Sequence, residues 1–192
     1  LINKYKRNKK ITNVLELGCG SGSNIKFLKS LKFNYYAIDG SSEVVKRVLK
    51  KYPSLKNKIV VGDFTKKIIF KKKFDIIIDR GSITHNDDKS IQETLKLLQK
   101  FMKKDSLFIG ISWFSKKDND FNKGTKIDSF TKTKINSGKL KNVGAIHFTN
   151  IKNIKKLFKN WKLIEVFEKT TKYYKPNKNF KRSFWTIVAK KK

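Results

Sequence analysis

The chain has 192 residues, 38% of them hydrophobic and 12% aromatic, enough for one domain with a full core. No apolar run approaches the ~20 residues of a membrane-spanning helix. Leu1–Lys10 is basic with no apolar core behind it, so no secretory signal is expected, although the first residue is Leu rather than Met and an upstream helix is expected to be missing. Cys19 is the only cysteine, which excludes an internal disulfide and a cysteine-built metal cluster and fits a reducing, cytoplasmic setting.

The formal net charge is +32, from 47 Lys and Arg against 15 Asp and Glu. A nucleic acid or another polyanion would attract such a chain. Only Arg7, Arg47, Arg80 and Arg182 are arginine, whereas nucleic-acid surfaces recruit the guanidinium fork for bidentate contacts. The lysines run through the whole chain beside many Asn and Ile, the bias expected from an AT-rich genome, and that compositional origin is the favoured explanation.

From residue 11 onward short apolar runs alternate with helical patterns, which predicts a parallel sheet covered by helices. The first strand is Asn13–Leu17, followed by three glycines at alternate positions, Gly18, Gly20 and Gly22, and a helix over 23–31 with Ile25, Leu28 and Leu31 on one face. A second strand, Phe33–Ile38, ends at Asp39. Ser41 or Ser42 caps a helix whose apolar stripe is Val44, Val45, Val48 and Leu49. The third strand is Lys58–Val61, leading to Gly62-Asp63-Phe64. The fourth is Phe74–Ile78, an Ile run suited to burial on both faces. A helix over Lys89–Met102 and a fifth strand, Leu107–Ile111, come next. The polar segment 115–148 then breaks the pattern. It is long for a plain loop and is expected to be a lid or acceptor-side insertion. Thr149 or Asn150 caps a last helix, and Trp161–Phe167 and Ser183–Ala189 are two final strands joined by a basic turn at Pro176. Residues 1–192 are expected to form a single domain.

Ligands of open parallel sheets bind beyond the carboxyl ends of the strands. Four turns fall there, and each has a physical use. The glycine turn admits a ligand against backbone amides. The acid Glu16, just before it, attracts a positive group. Asp39, with Gly40 after it, suits a ribose diol. Asp63 can accept from an exocyclic amino group while Phe64 offers an apolar face to a purine. Asp79 and Arg80 end the fourth strand. Together they imply an adenosine-containing ligand with an amino group near Glu16. A dinucleotide fold would place its third glycine at position 23, but Ser23 stands there, and a pyrophosphate would be repelled by Glu16. A sulfonium and an ammonium would be attracted.

Glu16-Leu-Gly-Cys-Gly-Ser-Gly22 resembles the first motif of the class I S-adenosylmethionine-dependent methyltransferases. Tyr36–Ser42, Gly62–Phe64, Phe74–His85 and Val143–Thr149 resemble further segments of that family's small-molecule branch. The resemblance implies an α/β, Rossmann-like mixed sheet of seven strands in the order 3-2-1-4-5-7-6, the last antiparallel, with helices on both faces. It implies S-adenosylmethionine as cofactor and no metal. Carried over by position, Gly18, Cys19 and Gly20 border the methionine part, and Glu16 supports the loop or faces the ammonium. Asp39 and Gly40 lie at the ribose, and Asp63 and Phe64 at the adenine. Asp79, Arg80 and Gly81 lie on the acceptor side, Arg80 against a carboxylate. The family's tetrapeptide for DNA-base amines is replaced by Asp79-Arg-Gly-Ser82. A small molecule is therefore the expected acceptor, with an RNA or protein methyltransferase, and a non-catalytic cofactor-binding domain, as competing expectations. Asp79, His85 and His147 are the candidate catalytic groups, since a base is needed when a hydroxyl acceptor loses its proton. Trp113 and Phe114 are candidates for the acceptor pocket.

Overall fold

Alternating side chains on each strand send two sets of apolar residues to opposite faces of one sheet, and helices cover both. The computed structural model describes residues 2–5, 12–176 and 179–192. The described residues form ten strands: β1 (Asn13–Leu17), β2 (Asn34–Asp39), β3 (Ile59–Val61), β4 (Phe74–Arg80), β5 (Met102–Phe114), β6 (Thr125–Lys126), β7 (Thr131–Thr133), β8 (Ile146–His147), β9 (Trp161–Tyr173) and β10 (Phe180–Lys191). The helices are α1 (Ile25–Ser30), α2 (Ser42–Lys51), α3 (Asp88–Lys100) and α4 (Ile151–Leu157).

Seven strands form the main sheet, in the order β3-β2-β1-β4-β5-β10-β9. The first five are mutually parallel, and β10 runs antiparallel between β5 and β9. Counted within this sheet alone, β9 and β10 are sixth and seventh, so the expected order is present. On one face Leu15, Leu17, Ile38, Ile77 and Phe108 pack against α3 and α4 through Ile91, Leu95, Leu98, Ile154 and Leu157. On the other, Val14, Tyr35, Ala37, Ile76 and Ile78 pack against α1 and α2 through Ile25, Leu28, Val45 and Val48. Each such fully buried side chain contributes about 1.5–3 kcal/mol. No helix links β3 to β4; Ile68 and Phe70 plug that crossover into the first core instead.

The helix caps follow the sequence. Ser41 accepts from Val44 N, Asp87 from Ser90 N and Asn150 from Asn153 N. Several boundaries differ from expectation. The helix expected to reach Met102 stops at Lys100, and Met102 opens β5 opposite Phe74. Met102 lies four residues after Leu98 and enters the same core, so helical spacing alone does not separate the two states. β4 continues to Arg80 and β5 to Phe114, because pairing with neighbouring strands carries both past their apolar centres. β9 and β10 form a longer hairpin than expected, pairing from Lys191–Trp161 to Phe180–Tyr173. Its turn lies partly outside the described residues.

The segment after β5 is built rather than open. β6, β7 and β8 form a separate three-stranded antiparallel sheet, which the sequence pattern did not indicate. Ile135, Leu140, Ile146 and Phe148 form its apolar cluster with Phe114. No helix among the described residues is long and apolar enough to cross a membrane.

Candidate active site

The glycine turn leaves β1 at the carboxyl edge of the sheet. Gly18, Gly20 and Gly22 all have positive φ, which explains the alternating glycines. Their side-chain directions differ. A Cβ on Gly18 would lie 2.1 Å from Ser82 Oγ, and one on Gly22 would lie 2.7 Å from Ile25 Cδ1. A Cβ on Gly20 would meet nothing within 4 Å, and the same holds at Gly40. These two glycines therefore face open space, while Gly18 and Gly22 face packed protein.

Asp39 ties the turn to β2. Its Oδ2 accepts from Gly20 N (2.9 Å) and its Oδ1 from Ser41 N (3.0 Å). A carboxylate has about four acceptor positions, so two remain for a diol. Gly18 N donates to Ile38 O (2.8 Å), and Ser82 Oγ donates to Gly18 O (3.3 Å), joining the β1, β2 and β4 turns. Asp63 is exposed beyond β3 and uses Oδ1 for the amide and hydroxyl of Thr65, while Phe64 is half-buried against the core. The predicted cofactor residues thus lie on one edge, in adjacent strands.

Glu16 does not face that edge. It is 2% exposed and accepts from Asn24 Nδ2 and Tyr35 OH, both at 2.5 Å. Burial raises its pKa, against the lowering effect of those two hydrogen bonds. It supports the turn from below, through side chains rather than loop amides, and the expectation of an ammonium contact is not met. Asn24 and Tyr35 were missed in the sequence. Their signal was register: Tyr35 pairs with Val14, which puts it diagonally beside Glu16 on the same face. Cys19 is buried in the turn, where burial pushes its thiol up to about 12, a poor nucleophile.

The three candidate catalytic groups separate. Asp79 is fully buried: Oδ1 accepts from Ser82 N and Ile83 N, both at 2.9 Å, and Oδ2 from Trp113 Nε1 (2.7 Å). Burial raises it to about 7 despite these donors. Its carboxylate shapes the β4 turn and is turned away from an acceptor. His147 is also fully buried, with Nε2 donating to Asn153 Oδ1 (3.1 Å) and Nδ1 3.2 Å from Thr131 Oγ1. Asn153 Oδ1 is the acceptor because its amide Nδ2 is committed to Asp88 Oδ1. Neither ring nitrogen of His147 can reach a substrate. His85 is exposed, and only its Nδ1 is engaged, 3.2 Å from Ala145 O. A carbonyl only accepts, so in the neutral ring Nδ1 carries the proton and the lone pair is on Nε2. Arg80 is exposed at the end of β4 and pairs with no carboxylate among the described residues. Trp113 and Phe114 are core residues, and the acceptor-pocket expectation fails for both.

The methyltransferase-domain family model matches residues 14–105. Over 80 residues the chain is 34% identical to uncharacterised methyltransferases of Schizosaccharomyces pombe, a match covering 39% of this chain and 55% of the relative. The chain thus spans about half the length of the curated relatives it matches. A solved SAM-dependent methyltransferase of Methanosarcina mazei superposes with a TM-score of 0.78 at 17% identity, covering 99% of this chain and 96% of that one. The magnesium protoporphyrin IX methyltransferase of Synechocystis, solved with SAH bound, gives 0.63 at 14% identity over 94% of this chain and 74% of its own. At these identities the solved structures speak to the fold.

Proposed function

We propose that this chain is a class I S-adenosylmethionine-dependent methyltransferase and that it moves a methyl group to a hydroxyl or amine of a small molecule. The observation that carries the reading is the open face of Gly20 and Gly40, bracketed by Asp39. A cofactor can lie there against backbone without displacing any side chain, so the residues present fit the group.

Gly18, Cys19 and Gly20 would border its methionine part, Asp39 its ribose, and Asp63 and Phe64 its adenine. S-adenosylmethionine supplies a sulfonium-activated methyl, whose displacement gains mainly from alignment of the acceptor. Among the acceptor-side groups His85 is the one exposed with a free ring lone pair, and it serves as general base for a hydroxyl acceptor. Arg80 is the cation available for a carboxylate, on either the cofactor or the acceptor. Asp79 and His147 act as positioning residues for the turns on which these groups sit. Exposed lysines lie on all four helices, at Lys26, Lys46, Lys96 and Lys152 among others, so the overall charge does not single out a face for RNA.

Calorimetric titration of the full-length protein with S-adenosylhomocysteine tests the reading. Binding is expected, and its absence would sink the proposal. Methyl transfer from labelled cofactor across a metabolite pool then identifies the acceptor; label appearing only in RNA or protein would overturn the small-molecule assignment.

A further inference from the structure

A second concavity lies on the same carboxyl edge of the sheet. It has a volume of about 330 Å³ and is bounded by the turn after β5 and by the ends of β9 and β10. Lys116, Lys117, Asp118, Asn119, Lys172 and Lys181 line it. We propose that this cleft is a phosphate-binding site, and that it holds a phosphate group of the methyl acceptor. The word acceptor rests on the methyltransferase reading above; the phosphate site does not.

Four lysines and one carboxylate line the cleft, and that carboxylate is already taken. Asp118 is nearly fully buried and pairs with Arg182 Nε at 3.2 Å, while its Oδ2 also accepts from Ser183 N. Lys117 pairs with Glu168 at 2.5 Å. Lys116, Lys172 and Lys181 pair with no carboxylate among the described residues. Lys116 is held over the rings of Phe130 and Phe121, at 4.3 and 5.0 Å, and Lys172 over Tyr174 at 5.1 Å. Ring faces position an ammonium without cancelling its charge. Asn119 Oδ1 accepts from Lys181 N at 2.6 Å, fixing the third lysine's backbone to the cleft wall. Three of the four lysines lining this concavity have no carboxylate partner among the described residues, and two of those ammonium groups are held over rings. Lysine binds phosphate as a point charge and needs no bidentate fork.

Position ties the cleft to the transfer site. Lys116 and Lys117 follow the carboxyl end of β5, Lys172 stands near the end of β9, and Lys181 near the start of antiparallel β10. Neighbouring strands lie about 4.8 Å apart, so two to four strand steps from β1 put the cleft roughly 10–20 Å from the glycine turn. That span fits an acceptor whose reacting group lies by β4 while its phosphate lies beyond β5.

The test is titration of the full-length protein with pyrophosphate at about 50 mM and about 200 mM salt. Three proteins are compared: wild type, Lys172→Ala/Lys181→Ala, and a control on α4, Lys152→Ala/Lys155→Ala. The cleft variant should bind about tenfold more weakly than both others, since two of the site's cations are gone. Lys172→Gln alone, on an exposed strand, should show an intermediate loss and stands in should the double variant misfold by circular dichroism. Equal binding by all three proteins would overturn the site. A titration with S-adenosylhomocysteine runs in parallel: failure there with selective pyrophosphate loss refutes the methyltransferase reading and leaves the phosphate site standing. Competition by a sugar phosphate against a short single-stranded RNA assigns the source, the tighter competitor naming it; failure of both to displace pyrophosphate from the wild type would remove the acceptor assignment.

Discussion

Gly18 and Gly20 stand two residues apart in one turn, share a positive φ, and have different jobs. A methyl at position 18 would run into Ser82 Oγ and Cβ, so Gly18→Ala should destabilise the fold by about 1–3 kcal/mol, measurable by urea unfolding. Position 20 faces open space but shares the positive φ, so Gly20→Val should cost about 1–2 kcal/mol of backbone strain and, in the protein that still folds, weaken S-adenosylhomocysteine binding by about tenfold or more, because the branched side chain would occupy the ligand's volume. Equal affinity in that variant would move the cofactor away from this turn. At His85 the chemistry can be separated from the fold. His85→Ala should lower kcat by about 10²-fold or more for a hydroxyl acceptor while cofactor affinity stays the same. Sequence showed which residue types stand at these turns. It did not show which way they point. Glu16, Asp79 and His147 read as ligand or catalytic groups because each is polar at or near a strand end, yet each aims into the protein and spends its polar atoms on Asn24, Tyr35, Trp113, Thr131 or Asn153.

The insertion between β5 and α4 is locked to the sheet by groups far apart in sequence, which is why it reads as a loop in the chain and behaves as a wall in the fold. Arg182 reaches back from β10 to Asp118 and Asp120, at 3.2 and 3.5 Å, and Asp120 also holds Leu140 N and Lys123. Removing the cation leaves two buried carboxylates with less compensation, so Arg182→Met should cost about 3–5 kcal/mol in chemical unfolding. His147 fastens the other side. Burial holds its pKa below the usual 6.5, outweighing the hydrogen bond to Asn153 and the charges of Asp88, Asp128 and Asp87. A group with a depressed folded pKa stabilises fully above its unfolded value, because below it the unfolded chain takes up protons that the folded one refuses. Melting temperature should therefore fall as pH drops below about 6.5, and His147→Gln should flatten that slope below about pH 6.5. An unchanged slope would mean that the imidazole accepts its proton without loss of structure.

At the scale of the molecule the alternation of strands and helices was legible because it is a local pattern, and the four carboxyl-end turns were legible because each is a short run. The small β6-β7-β8 sheet and the full lengths of β9 and β10 were not, since their pairing depends on partners that polar, lysine-rich stretches do not announce. The charge itself is a property of the whole. With +32 on one chain, self-repulsion opposes the compact state, and salt should relieve it. The Debye length falls from about 30 Å at 0.01 M to about 8 Å at 0.15 M, so most pairs of distant lysines cease to interact over that range. Sodium chloride should thus raise the melting temperature, and each ~1 kcal/mol of relieved repulsion is worth about 2–4 °C for a chain of this size. Sodium sulfate at equal ionic strength separates screening from occupancy of a site. If the cleft at Lys172 and Lys181 takes up a divalent oxyanion, wild type gains more from sulfate than Lys172→Ala/Lys181→Ala does, because a ligand bound only by the folded state adds stability that grows with the logarithm of its concentration above its Kd. The general effect of sulfate as an excluded salt acts on both proteins alike and cancels in the comparison. An identical gain in the two proteins would make the charge a uniform coat, with screening as its whole effect.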